Sequence, residues 1–374
     1  MPDFLYIHIP FCIRKCIYCD FLSVPYDSSL AEKYIDALCK ELELKKGLSG
    51  SLESIYIGGG TPSVMTDECF TALFKNIRDN FSLSSSVEIT VEANPGTISE
   101  SLTHTFLSSG VNRISIGAQS FIDPELRMLG RIHNSDDIVN SIELIKKSGM
   151  DNFSLDLMYG IPGQTTGTLH KSLSIAVGLL PAHISAYELT PEEKTPLYDL
   201  IRSKKVRMPG EEVIIAMNDS VIDFLGSCRY EHYEISNFSL PGSRCAHNLN
   251  YWNRGEYIGA GSGAHSFINN VRSANTPDIK EYIKKLNCGI MPETVTSYIT
   301  SDEAVKEFIF LGLRKTDGIS LTESGGITSD IADACGELFN EGYLALKNGR
   351  LMLTRKGLPL SNTIIVRIFE GLGL

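Results

Sequence analysis

The chain has 374 residues, 43% hydrophobic and 21% charged, proportions ordinary for a soluble globular protein of two or three domains or one large α/β barrel with an appendage. Its 34 basic and 45 acidic side chains give a formal charge of −11, which argues against general nucleic-acid binding. No secretory signal opens the sequence and no apolar run nears the roughly 20 residues that span a bilayer, so the scattered cysteines read as reduced thiols in a cytoplasmic setting.

Over the first 190 residues, β-rich runs alternate with amphipathic helical runs. Strands are expected at Phe4–His8, Ser54–Ile57, Val87–Glu92, Asn112–Ile116, Phe153–Met158 and His183–Glu188. Helices are expected at Ser29–Lys46, Thr66–Asn80, Ser99–Ser109, Ser135–Ser148 and Thr166–Gly178. Ser28 or Ser29, Thr66 and Ser99 read as N-caps, each with a glutamate close behind. Such alternation predicts parallel strands with right-handed crossovers, either an open doubly wound sheet or a partial (β/α)6 barrel. The barrel is favoured, because every notable motif follows the C-terminal end of a strand.

Beyond Thr190 the segment Pro191–Pro209 is charged and proline-punctuated, followed by a helix at Glu211–Gly226 and a strand at Tyr230–Ile235. The run Asn237–Phe267, rich in Gly, Asn, Ser and His, lacks periodicity and reads as a long functional loop. From Ser301 the chain reads as mostly helical. It closes with a helix at Glu337–Gly342 and a hairpin turning at Asn348-Gly349, a winged-helix-like module. With the net charge, a structural or lid role suits this module better than DNA binding. The expected domains are 1–190, 191–300 and 301–374.

Cys12, Cys16 and Cys19 are spaced C-x3-C-x2-C, as a single loop must be to wrap several corners of a small iron–sulfur cube. Three thiolates leave one iron of a [4Fe–4S] cluster open to a small ligand, and an open coordination position usually means chemistry. Three buried apolar cysteines are the bland alternative, which charged Arg14 and Lys15 disfavour. Gly58-Gly59-Gly60-Thr61-Pro62 follows the second strand and is either a tight turn or a close approach to a ligand. Arg131 supplies a cation for a carboxylate, Glu92 and Asp156 supply acceptors for an ammonium or ribose hydroxyls, and Gln119 supplies an amide. The set suits an amino-acid-plus-nucleoside ligand.

These motifs resemble radical S-adenosylmethionine (SAM) enzymes. The run Tyr6-x-His8-Ile9-Pro10-Phe11-Cys12, Gly58–Pro62, Gly110–Ser115 and Gly160–Gly163 narrow the likeness to the oxygen-independent coproporphyrinogen III oxidase group. The resemblance implies that Cys12, Cys16 and Cys19 hold a [4Fe–4S] cluster whose fourth iron SAM chelates. It also implies that Tyr6, Tyr18, Gly59, Gly60, Thr61, Glu92, Gln119, Arg131 and Asp156 contact SAM. In such enzymes the reduced cluster cleaves SAM to a 5′-deoxyadenosyl radical.

Two departures separate this chain from the oxidases. Those enzymes usually carry another cysteine where Phe21 stands, and a longer arm than the eleven residues that precede Cys12. The run His247-Asn248-Leu249-Asn250-Tyr251-Trp252 is instead similar to the H-N-x-x-Y-W pattern of a heme-chaperone branch. That resemblance implies a chaperone that binds heme and passes it to an acceptor protein. His247, read as an exposed loop histidine, is the candidate heme ligand; Cys245 is a weaker candidate, and His265 reads as structural. The oxidase and a radical SAM enzyme with another substrate remain the alternatives, and whether the chain turns anything over stays open. Implied partners are heme, the acceptor, and a flavodoxin- or ferredoxin-like electron donor. A homodimer and a peripheral membrane contact are open, and no nucleic acid is expected.

Overall fold

The structure, a computed structural model, describes residues 1–322, 331 and 334–374. Six parallel strands form its centre: β1 (Phe4–Ile9), β2 (Ser51–Gly59), β3 (Ser82–Ala93), β4 (Arg113–Gln119), β5 (Phe153–Tyr159) and β6 (His183–Glu188). Helices connect them: α1 (Ser28–Leu44), α2 (Asp67–Asn80), α3 (Glu100–Ser108), the short α4 (Asp123–Met128), α5 (Ser135–Lys147) and α6 (Thr166–Gly178). Strands covered on both faces need apolar or satisfied polar residues throughout, and every residue of β4 is buried.

The helix starts follow local chemistry. Thr66 and Ser99 cap α2 and α3, accepting from the Cys69 and Leu102 N–H groups. The cap of α1 is Asp27 rather than Ser28 or Ser29; its carboxylate accepts from Leu30 N–H at 2.8 Å. A carboxylate caps at least as well as a hydroxyl and also meets the positive end of the helix dipole.

Two further helices follow, α7 (Pro196–Arg202) and α8 (Glu211–Ser227). Then β7 (Glu231–Glu234) and β8 (Asn237–Ser239) add an antiparallel pair beyond β6, and β9 (Ile258–Ala260) adds a parallel strand beside β1. The sheet therefore runs β9-β1-β2-β3-β4-β5-β6-β8-β7, a partial barrel with β9 and β7 at its two edges. The expected loop over Asn237–Phe267 is overturned. It contains β8, β9, the helix α9 (Ala246–Trp252) and the start of β10 (His265–Ile268). Elements of three to seven residues are too short to show a period.

The β9 edge is held by a buried ionic knot. Lys45, 1% exposed, meets Glu41 at 2.9 Å and Glu293 at 3.1 Å and donates to Gly259 O. Glu41, wholly buried, also accepts from Gly261 N–H, Asn275 Nδ2 and Tyr282 OH. These contacts join α1 to β9, to the antiparallel sheet of β10, β11 (Val271–Asn275) and β12 (Glu293–Tyr298), and to α10 (Ile279–Asn287).

The C-terminal module has its own core. It contains α11 (Ser301–Gly312), β13 (Ile319–Ser320), α12 (Gly336–Asn340), the hairpin β14 (Leu344–Lys347) and β15 (Arg350–Leu353), and α13 (Ser361–Leu372). Asn348 and Gly349 both have positive φ, as a two-residue hairpin turn requires. The helical expectation after Ser301 also covers 323–330 and 332–333, which lie outside the described residues. Arg355 ties the module to α8 through Asp219 and Asp223.

Removing one partner of a buried ion pair strands the other charge. Lys45→Met should therefore cost about 3–5 kcal/mol in a urea or guanidinium titration. A loss within a few tenths would show that the knot does not hold the sheet edge.

Candidate functional site

Cys12, Cys16 and Cys19 lie on the loop that follows β1, and backbone bonds pin it along its length. Tyr26 N–H donates to Cys12 O at 2.9 Å, Ile17 N–H to Leu129 O at 3.3 Å, and Leu197 N–H to Ile17 O at 2.9 Å. Lys15 Nζ donates to Phe21 O at 2.8 Å, closing the loop's far end.

The glycines at the end of β2 make room for this loop. A Cβ on Gly60 would lie 2.6 Å from Phe11 O, and one on Gly59 would lie 2.5 Å from the His8 ring. Gly59 also has φ +114°, which other residues rarely adopt. A Cβ on Gly58 would strike the Glu92 carboxyl at 2.9 Å. The run thus packs backbone against the cysteine loop and leaves Gly59 N–H to donate to Glu92 at 3.1 Å. Thr61 Oγ1 donates to Cys12 Sγ at 3.5 Å.

The three cysteines share one cleft of about 1250 Å³, open mouth included, with Tyr18, Gly59, Gly60, Thr61, Glu92, Gln119, Arg131 and Asp156. Tyr6 is not on the cleft wall. It stacks on Tyr56 at 6.3 Å, and Tyr56 lines the cleft. Arg131 joins three strand ends: it donates to Cys16 Sγ at 3.4 Å, to Asn94 Oδ1 at 2.6 Å and to Gly117 O. Gln119 sits at φ 67°, a conformation a side chain of this kind holds only when its surroundings enforce it. Tyr187 OH donates to its Oε1 at 2.9 Å, and Ser120 Oγ donates to buried Glu125 at 2.6 Å.

Burial dominates the acid–base state of the two carboxylates. It pushes Glu92 up to about 7 against hydrogen bonds from Tyr56 and Gly59, with Asp156 adding repulsion. It pushes Asp156 up to about 6 against bonds from Ser185 and Ser115 and the nearby Arg131 charge. A cleft with half-buried carboxylates, thiols and a guanidinium favours a ligand that is cationic toward the carboxylates and anionic toward Arg131.

Two histidines differ in burial from the expectation. His247 is 1% exposed inside α9, its Nδ1 3.0 Å from Ser54 Oγ and its Nε2 3.0 Å from Tyr251 OH. Burial lowers its pKa to about 3. It is not an exposed loop histidine, because α9 lies against β2. Cys245 is also buried, its thiol pushed up to about 12 by burial, so it is no ready thiolate. His265, expected to be structural, is exposed on β10.

Tyr56, Asn94, Ser115 and Tyr187 are cleft residues that the sequence reading did not select. Tyr56 lies two residues before Gly58, and Asn94 two after Glu92. Period-2 spacing from the chosen residues could have found both.

Residues 6–175 match the Radical SAM superfamily and residues 299–360 the HemN C-terminal domain. The heme chaperone HemW of Bacillus subtilis (strain 168) is 36% identical over 367 residues, 96% of this chain and 97% of that protein. The heme chaperone HemW of Lactococcus lactis subsp. lactis (strain IL1403) is 33% identical over 97% of this chain and 96% of its own length. This chain belongs to the HemW family. Among solved structures, coproporphyrinogen III oxidase (HemN) from Escherichia coli, described as a radical SAM enzyme, superposes with a TM-score of 0.84. That match covers 98% of this chain and 90% of the other at 20% identity, a likeness of fold.

Radical SAM membership brings a [4Fe–4S] cluster and SAM, and the residues present fit both. Cys12, Cys16 and Cys19 all line the one cleft, an arrangement that suits the corners of a cube. The cleft's carboxylates and guanidinium complement an ammonium, a sulfonium and a carboxylate.

The raised carboxylates carry a pH signature. Their protonated forms favour the ligand-free fold at low pH, and that contribution is lost as pH rises through about 6 for Asp156 and about 7 for Glu92. A cationic ligand favours the ionised forms. SAM binding to cluster-free protein should therefore tighten and release protons as pH rises through this window. Calorimetry in buffers of different ionisation enthalpy reads the release, and Glu92→Gln should diminish it. Binding independent of pH would contradict the assignment.

Proposed function

We propose that this chain is a heme chaperone that carries a SAM-ligated [4Fe–4S] cluster and transfers heme to an acceptor protein. The likeness to HemW relatives along nearly the whole chain carries this reading. In it, residues 1–190 hold the cofactors, 191–300 bear the heme-linked helix, and 301–374 form the covering module. Cys12, Cys16 and Cys19 hold the cluster, whose reduced form supplies an electron to the sulfonium. Arg131 receives the SAM carboxylate, Glu92 its ammonium, and Asp156 and Gln119 the nucleoside; Gly59, Gly60, Thr61 and Tyr18 complete the wall, with Tyr6 acting from behind Tyr56. A flavodoxin- or ferredoxin-like protein supplies the electron, and the setting is cytoplasmic. Among the described residues no helix is long and apolar enough to cross a membrane.

Phe21, 65% exposed beside the cysteine loop, supports the chaperone over the oxidase, because no further thiol stands there. Reconstituted protein should bind heme, seen as a Soret shift, and leave coproporphyrinogen III unchanged under reducing anaerobic conditions. Turnover of that porphyrinogen would favour the oxidase.

Heme coordination by His247 requires α9 to lift from β2, since both ring nitrogens are engaged. The observed heme affinity is then the intrinsic one reduced by the open fraction. The Soret change should level off in rate as heme concentration rises, quicken in Ser54→Ala and vanish in folded His247→Ala. A shift that survives His247→Ala would place the iron elsewhere.

Cys16→Ser should lose cluster iron while keeping the wild-type circular dichroism spectrum. Undiminished iron would refute the ligand assignment.

A further inference from the structure

The barrel interior contains a continuous aromatic column that starts at the cleft wall. Tyr56, on the cleft wall, stacks on Tyr6 at 6.3 Å and meets the tilted ring of His247 at 5.2 Å. His247 meets Tyr251 edge-on at 5.0 Å, and Tyr251 meets Tyr257 at 4.8 Å. Tyr257, just before β9, is partly exposed, so the column runs from the cleft toward the surface.

Three of its phenols each hold a hydrogen bond to a base. Tyr56 OH donates to Glu92 Oε1 at 2.8 Å, Tyr6 OH lies 2.9 Å from His8 Nδ1, and Tyr251 OH lies 3.0 Å from His247 Nε2. His8 Nε2 faces Leu22 O at 3.0 Å. A carbonyl only accepts, so Nε2 carries the proton and Nδ1 is free to accept from Tyr6. Burial keeps the phenols protonated and both imidazoles neutral. A protonated phenol gives up an electron readily only when a neighbour takes its proton, and each of these has such a neighbour.

We propose that the column Tyr56–His247–Tyr251–Tyr257 is an oxidation relay that drains one-electron oxidising equivalents from the cleft to the protein surface. A carbon-centred radical in the cleft takes the hydrogen atom of Tyr56, so that a C–H bond forms as the O–H bond breaks and Tyr56 is left as a neutral phenoxyl radical. Tyr251 returns an electron to Tyr56 across the His247 ring and passes its own proton to His247 Nε2, in the tautomer that leaves Nε2 free, while protonated Glu92 supplies the proton that remakes the Tyr56 O–H. Tyr257 then returns an electron to Tyr251, which takes its proton back from His247; Tyr257 releases its own proton to solvent, from which Glu92 is reprotonated. A thiol in solution gives Tyr257 an electron and a proton and leaves as a thiyl radical, so the net change is one hydrogen atom moved from the thiol to the cleft radical. Tyr6, paired with His8, is a side station on the same stack. The relay would protect the cysteine loop when an oxidant forms without a substrate to meet it.

The relay's purpose rests on the cleft being the cofactor site, but its chemistry does not. The test therefore uses the full-length, cluster-free protein. Photogenerated tris(bipyridine)ruthenium(III), with persulfate as sacrificial oxidant, oxidises the protein from outside. A water-soluble thiol then quenches exposed radicals before freezing for electron paramagnetic resonance. Wild type should show a quench-resistant tyrosyl signal. Tyr257→Phe should lose it because the surface station is gone, and Tyr56→Phe should lose the innermost component. Tyr298→Phe, at an exposed position off the column, should retain it. Absence of a quench-resistant signal in wild type, or its persistence unchanged in both Tyr257→Phe and Tyr56→Phe, would overturn the relay and leave the cofactor assignment untouched.

Discussion

The site depends on a backbone fit with no room for a side chain. Gly60 lies so near the cysteine loop that a Cβ would meet Phe11 O, Phe11 N and Ile9 O at 3.0 Å or less. In that space Thr61 N–H donates to Phe11 O at 2.7 Å and Gly60 N–H to Ile9 O at 2.9 Å. The end of β2 thereby sets where the loop after β1 leaves the sheet, and so where Cys12, Cys16 and Cys19 meet the cleft. Contacts from Leu129 and Leu197 fix the loop's other side. A loop held this way can present three thiolates to a cluster without relying on the cluster to fold it.

The same strand ends set the electrostatics. Arg131 is half-buried where β3, β4 and the cysteine loop converge, and its three partners hold it there. Glu92 and Asp156 face into the cleft from β3 and β5 with no direct cationic partner among their hydrogen bonds. Their charge is costly until a cationic ligand arrives, so the ligand-free fold keeps Glu92 protonated up to about pH 7 and Asp156 up to about pH 6. Recognition and pH dependence then have one cause, the desolvation of acids in a cleft that awaits a cation. The strained Gln119, held by Tyr187 OH, completes a rim set before any ligand binds.

Much of this was legible in the sequence, for identifiable reasons. The strand–helix alternation over the first 190 residues is regular because each connection carries a long amphipathic helix, and six strands and five helices appear close to where the pattern puts them. Gly59, Gly60, Thr61, Glu92 and Gln119 sit at or just beyond strand C-terminal ends, where α/β folds place chemistry. What was lost needed tertiary information. Tyr56 and Tyr187 lie within strands buried on both faces, where apolar content hides which face is which. Tyr6 was assigned to the cleft, yet its ring stops behind Tyr56. His247 and His265 exchanged burial because α9 packs on β2 and a strand distant in sequence, which no local pattern records. The run 237–267 looked irregular because its elements are shorter than a detectable period.

The central claim is that the cysteine loop leaves one iron open toward the cleft and that SAM closes it. Electron paramagnetic resonance of the reduced cluster, with and without SAM, tests this most directly. The account predicts a [4Fe–4S]⁺ spectrum whose g values shift on adding SAM, with the shift lost in Arg131→Ala. A cluster spectrum identical in the presence and absence of SAM would contradict it.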